Sequence, residues 1–282
     1  MAIRYKVIEA TCPICGLSKV LNVPEAVLTQ RKFGTIKIQV PMGAVCAEHQ
    51  FIVFVDQKGV IRGYEKIDIQ MAMPTAETEL EKAGVLTLRK MIQIFGLYGV
   101  FSLLHAKVFN YPSYVIIDED FKHNEKVLNK VGDRILPEKY RNQENTHLLE
   151  ETDYSKIKLK EKDALLMDTH QHILQTPWDE KLKFEESIMK RALEIIDEDE
   201  QLILLKQNIS KLIREAEYSA GILEKVKEIY EDDLIERLSH DLMIPKINHY
   251  RLTLIKNFIK QRYSSKLASK IKNKVEEFLD LL

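Results

Sequence analysis

The three cysteines of this chain constrain its fold more than any other feature, because all of them lie near the N-terminus. Two residues separate Cys12 from Cys15, and the same spacing recurs between Cys46 and His49. This spacing lets both side chains of a pair face one ion, and three thiolates with one imidazole complete a tetrahedron. The pattern therefore predicts a structural zinc site, with no open coordination position, held by Cys12, Cys15, Cys46 and His49. A redox pair at Cys12 and Cys15 would leave the second pair unexplained.

Gly16 follows the first cysteine pair and permits the tight turn that aims backbone N–H groups at the sulfurs. With this turn and the second pair, the N-terminal region resembles zinc-ribbon and zinc-knuckle modules. The resemblance implies a bound metal and a β-rich fold for this region. It implies no particular partner, because such modules occur in transcription, translation, trafficking and scaffold proteins alike.

The remaining pattern predicts an α+β protein in three parts. Short β-branched runs separated by turn residues predict a zinc-binding β-rich module over residues 1–72. Residues 75–175 read as a mixed α/β domain, with a helix through the apolar run from Met91 to Leu104. That run is shorter than the roughly 20 residues of a membrane span, so we expect a buried helix and no transmembrane segment. A polar segment from Glu138 to Ser155 reads as a linker or a long loop.

Residues 176–282 read as a helical, coiled-coil-like domain. Thr176 and Pro177 are typical of a helix start. Apolar residues at steps of three and four from Leu202 to Leu238 predict a helical hairpin or bundle, with a weak point at Ala220–Gly221. A last helix is predicted over residues 246–282.

The predicted last helix is strongly basic, since no acidic residue occurs between Leu242 and Val275. Such a helix suits nucleic-acid phosphates, an anionic membrane surface or an acidic groove. It equally suits packing into the bundle with solvated lysines. The residues of this possible partner-binding face are Lys256, Lys260, Arg262, Lys266, Lys270 and Lys274.

Three aspartates each close an apolar run, namely Asp56, Asp118 and Asp168. If their strands were neighbours, the carboxylates would converge at one sheet edge and bind a metal. In extended geometry His170 and His172 would share a face with Asp168 as a metal triad. The alternative is that these residues form polar turns, where aspartate is favoured. His105, on the apolar helix, is interpreted as a core histidine.

Glycine-rich phosphate loops and a GxSxG motif are absent, which argues against nucleotide hydrolysis and dinucleotide chemistry. The formal net charge of −1 also limits any polyanion binding to a local patch. We therefore expect a cytoplasmic, non-enzymatic interaction or scaffold protein that binds a protein partner or self-associates through its helical half. The alternative is a nucleic-acid-binding zinc-ribbon protein that uses the basic helix. A metal-dependent enzyme using Asp118, Asp168, His170 and His172 ranks third.

Overall fold

A computed structural model describes residues 5–28, 34–67, 86–118, 121, 125–141, 144–150, 153–154, 163–179 and 181–273. Within these ranges the predicted α+β class is confirmed, with a β-rich N-terminal region and a helical C-terminal half. The strands are β1 (Tyr5–Thr11), β2 (Ser18–Pro24), β3 (Ile36–Val40), β4 (Gln50–Val55), β5 (Ile61–Ile67), β6 (Ser113–Ile117), β7 (Thr146–Glu150), β8 (Leu165–Asp168), β9 (His172–Gln175), β10 (Ile229–Tyr230) and β11 (Ile271–Lys272).

Seven of these strands form one mixed sheet in the order β5-β4-β3-β9-β8-β6-β7. Strands β3, β4 and β5 are antiparallel neighbours, whereas β6 is parallel to both β7 and β8. Strand β9 runs antiparallel to β3 and β8, and its Ile173 pairs with Lys37. One sheet therefore spans the predicted boundary between the first two parts, and the division of the chain into three domains stays a prediction.

The helices are α1 (Glu25–Leu28), α2 (Leu88–Phe109), α3 (Glu125–Ile135), α4 (Lys183–Leu193), α5 (Glu198–Lys225), α6 (Glu231–Asp241), α7 (His249–Arg262) and α8 (Ser265–Ala268). Thr87 caps α2 by accepting a hydrogen bond from Lys90 N. Helix α2 is interrupted at Gly96, where φ is +70° and Gln39 Oε1 accepts a hydrogen bond from Tyr98 N. Glycine suits this position because other residues rarely adopt a positive φ.

Side chains alternate between the two faces of the sheet, as β geometry requires. On the helical face, Ile52, Val115 and Met167 join a large apolar cluster with α2 and the C-terminal helices. On the hairpin face, Phe51 and Val53 join a smaller cluster that β1 and β2 cover. The protein is therefore layered, with a β-hairpin on one side of the sheet and helices on the other.

Among the described residues, helix α2 has the length and the apolar composition that a membrane-spanning helix needs. Within its most apolar stretch, however, 83% of the residues are buried inside the protein. Its placement against the sheet agrees with the prediction of a buried core helix.

The predicted helix start at Thr176 is wrong, because α4 begins only at Lys183. Thr176 Oγ1 instead donates to the Trp178 carbonyl, and Trp178 is buried against the His105 ring. Burying this indole outweighs the local capping signal.

The helix boundaries further along also differ from the prediction. Helix α5 continues through Gly221 and ends at Lys225, so the break falls after the expected weak point. The last helix ends at Arg262, and the chain then forms α8 and β11, which pairs in parallel with β10. Residues 274–282 of that predicted helix lie outside the described residues.

Two strands lie where the sequence suggested polar connections. Strand β7 falls within the predicted linker and forms one edge of the sheet. Strand β9 occupies the segment that was also consistent with a polar loop. Both are short and carry polar residues, so the local pattern does not distinguish them from loops.

Candidate metal centre

The first cysteine pair lies in the turn that joins β1 to β2. Cys12 N donates to the Leu17 carbonyl and Gly16 N donates to the Cys12 carbonyl, which closes a compact loop around Cys15. Gly16 adopts a φ of +77°, the left-handed conformation that glycine tolerates best. The local fold thus places both thiols on one side of the hairpin tip.

The second pair lies in the connection between β3 and β4. Gly43 N donates to the Cys46 carbonyl and Ala44 N donates to the Pro41 carbonyl, which form a second tight loop. His49 directly precedes β4, so its ring is held close to the end of a strand. The two loops therefore bring residues from two different hairpins together.

The four predicted ligands converge in space. Their ligand atoms all lie within 4.8 Å of one another, and Cys46 Sγ lies 3.5 Å from His49 Nδ1. Sulfur and nitrogen ligands of a tetrahedral zinc, at about 2.3 and 2.0 Å from the ion, are about 3.5–3.8 Å apart. The donor set and its spacing fit a metal ion of this kind. Within the described ranges, this is the group of three or more His, Cys, Asp or Glu side chains whose ligand atoms lie this close to one another.

The protein environment favours a thiolate at Cys12. Burial raises the pKa of Cys12, but the N–H groups of Cys15 and Ile14 and the neighbouring sulfurs lower it, which leaves it at about 7. The pKa of the exposed Cys15 is raised: the N–H of Leu17 lowers it, but burial and the neighbouring sulfurs outweigh this. Thiolates are the form that binds metals, so Cys12 is prepared for coordination near neutral pH.

A set of four protein ligands leaves no coordination position for water or substrate, which is the arrangement typical of structural zinc sites. Cys12 and Cys46 are buried in the same apolar cluster as Ile8 and Phe51. A bound ion would therefore tie the β1–β2 hairpin to the sheet beneath it. Comparison of the chain with protein-family models, with curated proteins and with solved structures finds no match.

Three residues of the predicted basic face make contacts inside the fold. Lys256 Nζ lies 2.9 Å from Glu231 Oε1. Arg262 donates to the carbonyls of Lys107 and Val108 at the end of α2, and Lys270 donates to carbonyls at the end of α5. Lys260 and Lys266 are exposed, and Lys274 lies outside the described residues. The use of this face by a partner stays a prediction.

Asp56 lies apart from the other two strand-closing aspartates. Strand β4 runs opposite to β6 and β8, so its end lies at the other edge of the sheet. Asp56 accepts hydrogen bonds from Lys58 N and Val60 N and pairs with Arg62. The N–H of Val60 and the Arg62 guanidinium hold its pKa below the ordinary value, although burial opposes them. The turn interpretation is confirmed for this residue.

The other four residues of the predicted second site converge. Strands β6 and β8 are parallel neighbours, so Asp118, which follows β6, and Asp168, the last residue of β8, lie at one edge of the sheet. His172 Nδ1 lies 2.8 Å from Asp168 Oδ2, and His170 Nε2 lies 3.8 Å from Asp118 Oδ2. The sequence could place Asp168 near His172, but the strand pairing was needed to add Asp118.

His105 is fully buried, as expected for a core histidine. Its Nδ1 lies 2.9 Å from Oε1 of Glu185, which is also fully buried. No local pattern indicates this partner, because the two residues are 80 positions apart along the chain.

The apolar surface of the β1–β2 hairpin was not predicted from the sequence. Large apolar side chains are exposed on its outward face and around the Cys/His loops, namely Tyr5, Val7, Ile14, Leu17, Val20 and Met42. We call this set the outer hairpin face. The sequence does contain a pattern that indicates this surface. Apolar residues occur on both faces of β1 and β2, although one face of the hairpin packs against the sheet.

Proposed function

We propose that the Cys/His cluster binds zinc structurally and that the outer hairpin face contacts a protein partner. This makes the chain a non-enzymatic interaction protein with a module of the zinc-ribbon type. The observation that carries the proposal is the exposure of apolar side chains around the metal loops. Val7, Leu17 and Val20 are each more than half exposed.

The distribution of exposed apolar residues favours this surface over others. Six of the twelve large apolar side chains that are exposed among the described residues belong to the outer hairpin face. Scattered exposed apolar residues are normal on proteins, whereas a concentration of them marks an interaction site. The outer hairpin face is such a concentration.

The helical half offers less support for partner binding. The apolar stripe that suggested self-association includes Leu205, Ile209 and Leu212, and all three are fully buried in the protein's own core. Side chains that already pack inside the fold are not available to a partner. The contact surface is therefore better placed on the hairpin than on the helices.

Site-specific crosslinking tests the proposal. A photo-crosslinking amino acid at Leu17, in full-length protein made in its own cells, should form a covalent adduct with a partner polypeptide. The same amino acid at Ile203, an exposed apolar position on α5, is the matched control and should form none. Light scattering distinguishes a second copy from another protein, since self-association gives a mass above 32.9 kDa.

A double substitution on the outer hairpin face tests whether the adduct depends on this surface. Val7→Lys combined with Val20→Lys should abolish the adduct at Leu17 but leave one zinc per chain, because both side chains are exposed and neither belongs to the Cys/His cluster. Equal adducts at Leu17 and Ile203, or none at Leu17 from a monomeric protein, would contradict the proposed surface. A chain purified without zinc would separately contradict the proposed metal.

A further inference from the structure

The carboxyl edge of the parallel strands carries a second group of metal-ligating side chains. Asp118 follows β6, and the turn of residues 169–171 joins β8 to β9. Thr169 N donates to the Ile116 carbonyl, and Thr169 Oγ1 donates to Asp118 Oδ2. These two bonds hold the end of β6 against the turn. In open α/β sheets, ligands bind outside the carboxyl ends of the strands, which is where this group lies.

Asp168 fixes the orientation of His172. Its Oδ1 accepts hydrogen bonds from His170 N and His172 N, both at 2.9 Å. Its Oδ2 lies 2.8 Å from His172 Nδ1, so the proton of the neutral ring belongs on Nδ1. This leaves the lone pair on Nε2. A carboxylate that orients a histidine in this way is the usual support of a metal-ligating imidazole.

His170 supplies the adaptable part of the group. Its Nε2 lies 3.8 Å from Asp118 Oδ2, and its ring centroid lies 6.5 Å from that of His172. Its side chain is 67% exposed, so the ring can rotate toward His172 at little cost in packing. An ion between the two rings would also neutralise the carboxylate of Asp118.

We propose that Asp118, His170 and His172 bind a divalent transition-metal ion and that Asp168 positions His172. Two imidazoles and one carboxylate are a ligand set typical of such ions. Three protein ligands leave coordination positions for water or a ligand oxygen, which distinguishes this site from the closed Cys/His cluster. The two proposals are independent, because they share no residue.

Counting two metals separately tests this site. Tag-free, full-length protein that holds one zinc per chain would be dialysed against Co²⁺ at about 100 µM, and both elements would be measured by mass spectrometry. We expect one cobalt per chain to be retained in addition to the zinc. His170→Ala and His172→Ala should each weaken cobalt binding by at least about tenfold, as expected when a ligand is lost.

The matched control is His240→Ala. His240 forms a similar pair with Asp241, at 2.8 Å, but on the exposed surface of α6. This variant should retain cobalt as the wild type does. Asp168→Asn tests the positioning role, since its amide would favour the proton on His172 Nε2 and should weaken binding about 10–100-fold.

Three results would overturn the proposal. These are the absence of added cobalt, a gain of cobalt matched by a loss of zinc, and equal binding by wild type and His170→Ala. The exposed His170 makes its variant the decisive one, because removing that ring leaves the core unchanged. Circular dichroism of every variant checks that the fold is retained.

Discussion

The two faces of the sheet are stabilised in different ways. The helical face carries α2 and the C-terminal helices over a large apolar core that contains Phe95, Phe109 and Phe258. The hairpin face carries two strands over a smaller cluster, and its loops hold the Cys/His centre. A two-stranded hairpin is only marginally stable by itself. A metal clamp is therefore useful on the face where apolar burial is small.

This difference predicts which part of the fold would depend on a bound ion. Strands β3 and β4 belong to the main sheet through the pairing of β3 with β9. Strands β1 and β2, in contrast, form a two-stranded sheet of their own on the hairpin face. Removing the metal should therefore release the hairpin and leave the seven strands paired.

The largest expected effect comes from Cys12→Ser. We expect loss of the bound ion and fast hydrogen exchange throughout residues 5–24, because the binding energy of a structural metal also stabilises the fold. Amides of β3, β4 and the helices should keep their protection, as measured by exchange with mass spectrometry. Chelation of the wild type is the control and should give the same pattern. Unchanged exchange in β1 and β2 would show that the hairpin does not depend on the metal.

A smaller but global effect is expected on the helical face from Glu185→Leu. Both His105 and Glu185 have fully buried side chains, so the remaining histidine would lack this acceptor. We expect the free energy of unfolding to fall by about 3 kcal/mol in denaturant titration. The double variant His105→Leu with Glu185→Leu should recover part of this loss.

His240→Ala serves as its control, since this exposed pair should change stability by less than about 0.5 kcal/mol. If Glu185→Leu and His240→Ala lowered the free energy of unfolding equally, burial would not determine how much each pair contributes to stability.

The smallest effect tests where α2 meets the sheet. At Gly96 an added Cβ would clash with the side-chain amide of Gln39, and φ is already +70°. Gly96→Ala should therefore lower the free energy of unfolding by about 2 kcal/mol. Gly221→Ala is the matched control in α5, where nothing lies within 4 Å, and should raise stability by about 0.5–1 kcal/mol. A lower denaturant midpoint for Gly96→Ala and a higher one for Gly221→Ala would confirm that Gly96 and Gln39 lie too close to admit a Cβ.

Local patterns predicted much of the fold. The spacing of Cys12, Cys15, Cys46 and His49 predicted that these four side chains converge, and β-branched runs located β3, β4 and β6. These signals are contained within short segments, so no knowledge of the tertiary structure is required.

Features set by distant partners could not be predicted. Strand β9 is short, and its place follows from pairing with β3 and β8. Arg262 read as a partner-binding cation, yet its hydrogen bonds go to carbonyls at the end of α2. The local sequence predicted Thr176 as a helix cap, but the buried Trp178 lies two residues later and the helix begins only at Lys183. In each case a tertiary contact outweighs the local preference.

The pairing of Lys37 with Ile173 has a consequence for synthesis of the chain on the ribosome. Strand β3 is translated long before β9, and at about 5–20 residues per second the interval is roughly 7–27 s. During that interval one side of β3 has no neighbour and is open to pairing with other chains. All four ligands of the Cys/His centre, in contrast, have emerged soon after His49 is made. Early metal capture would then hold the nascent hairpins together while the rest of the sheet is being translated.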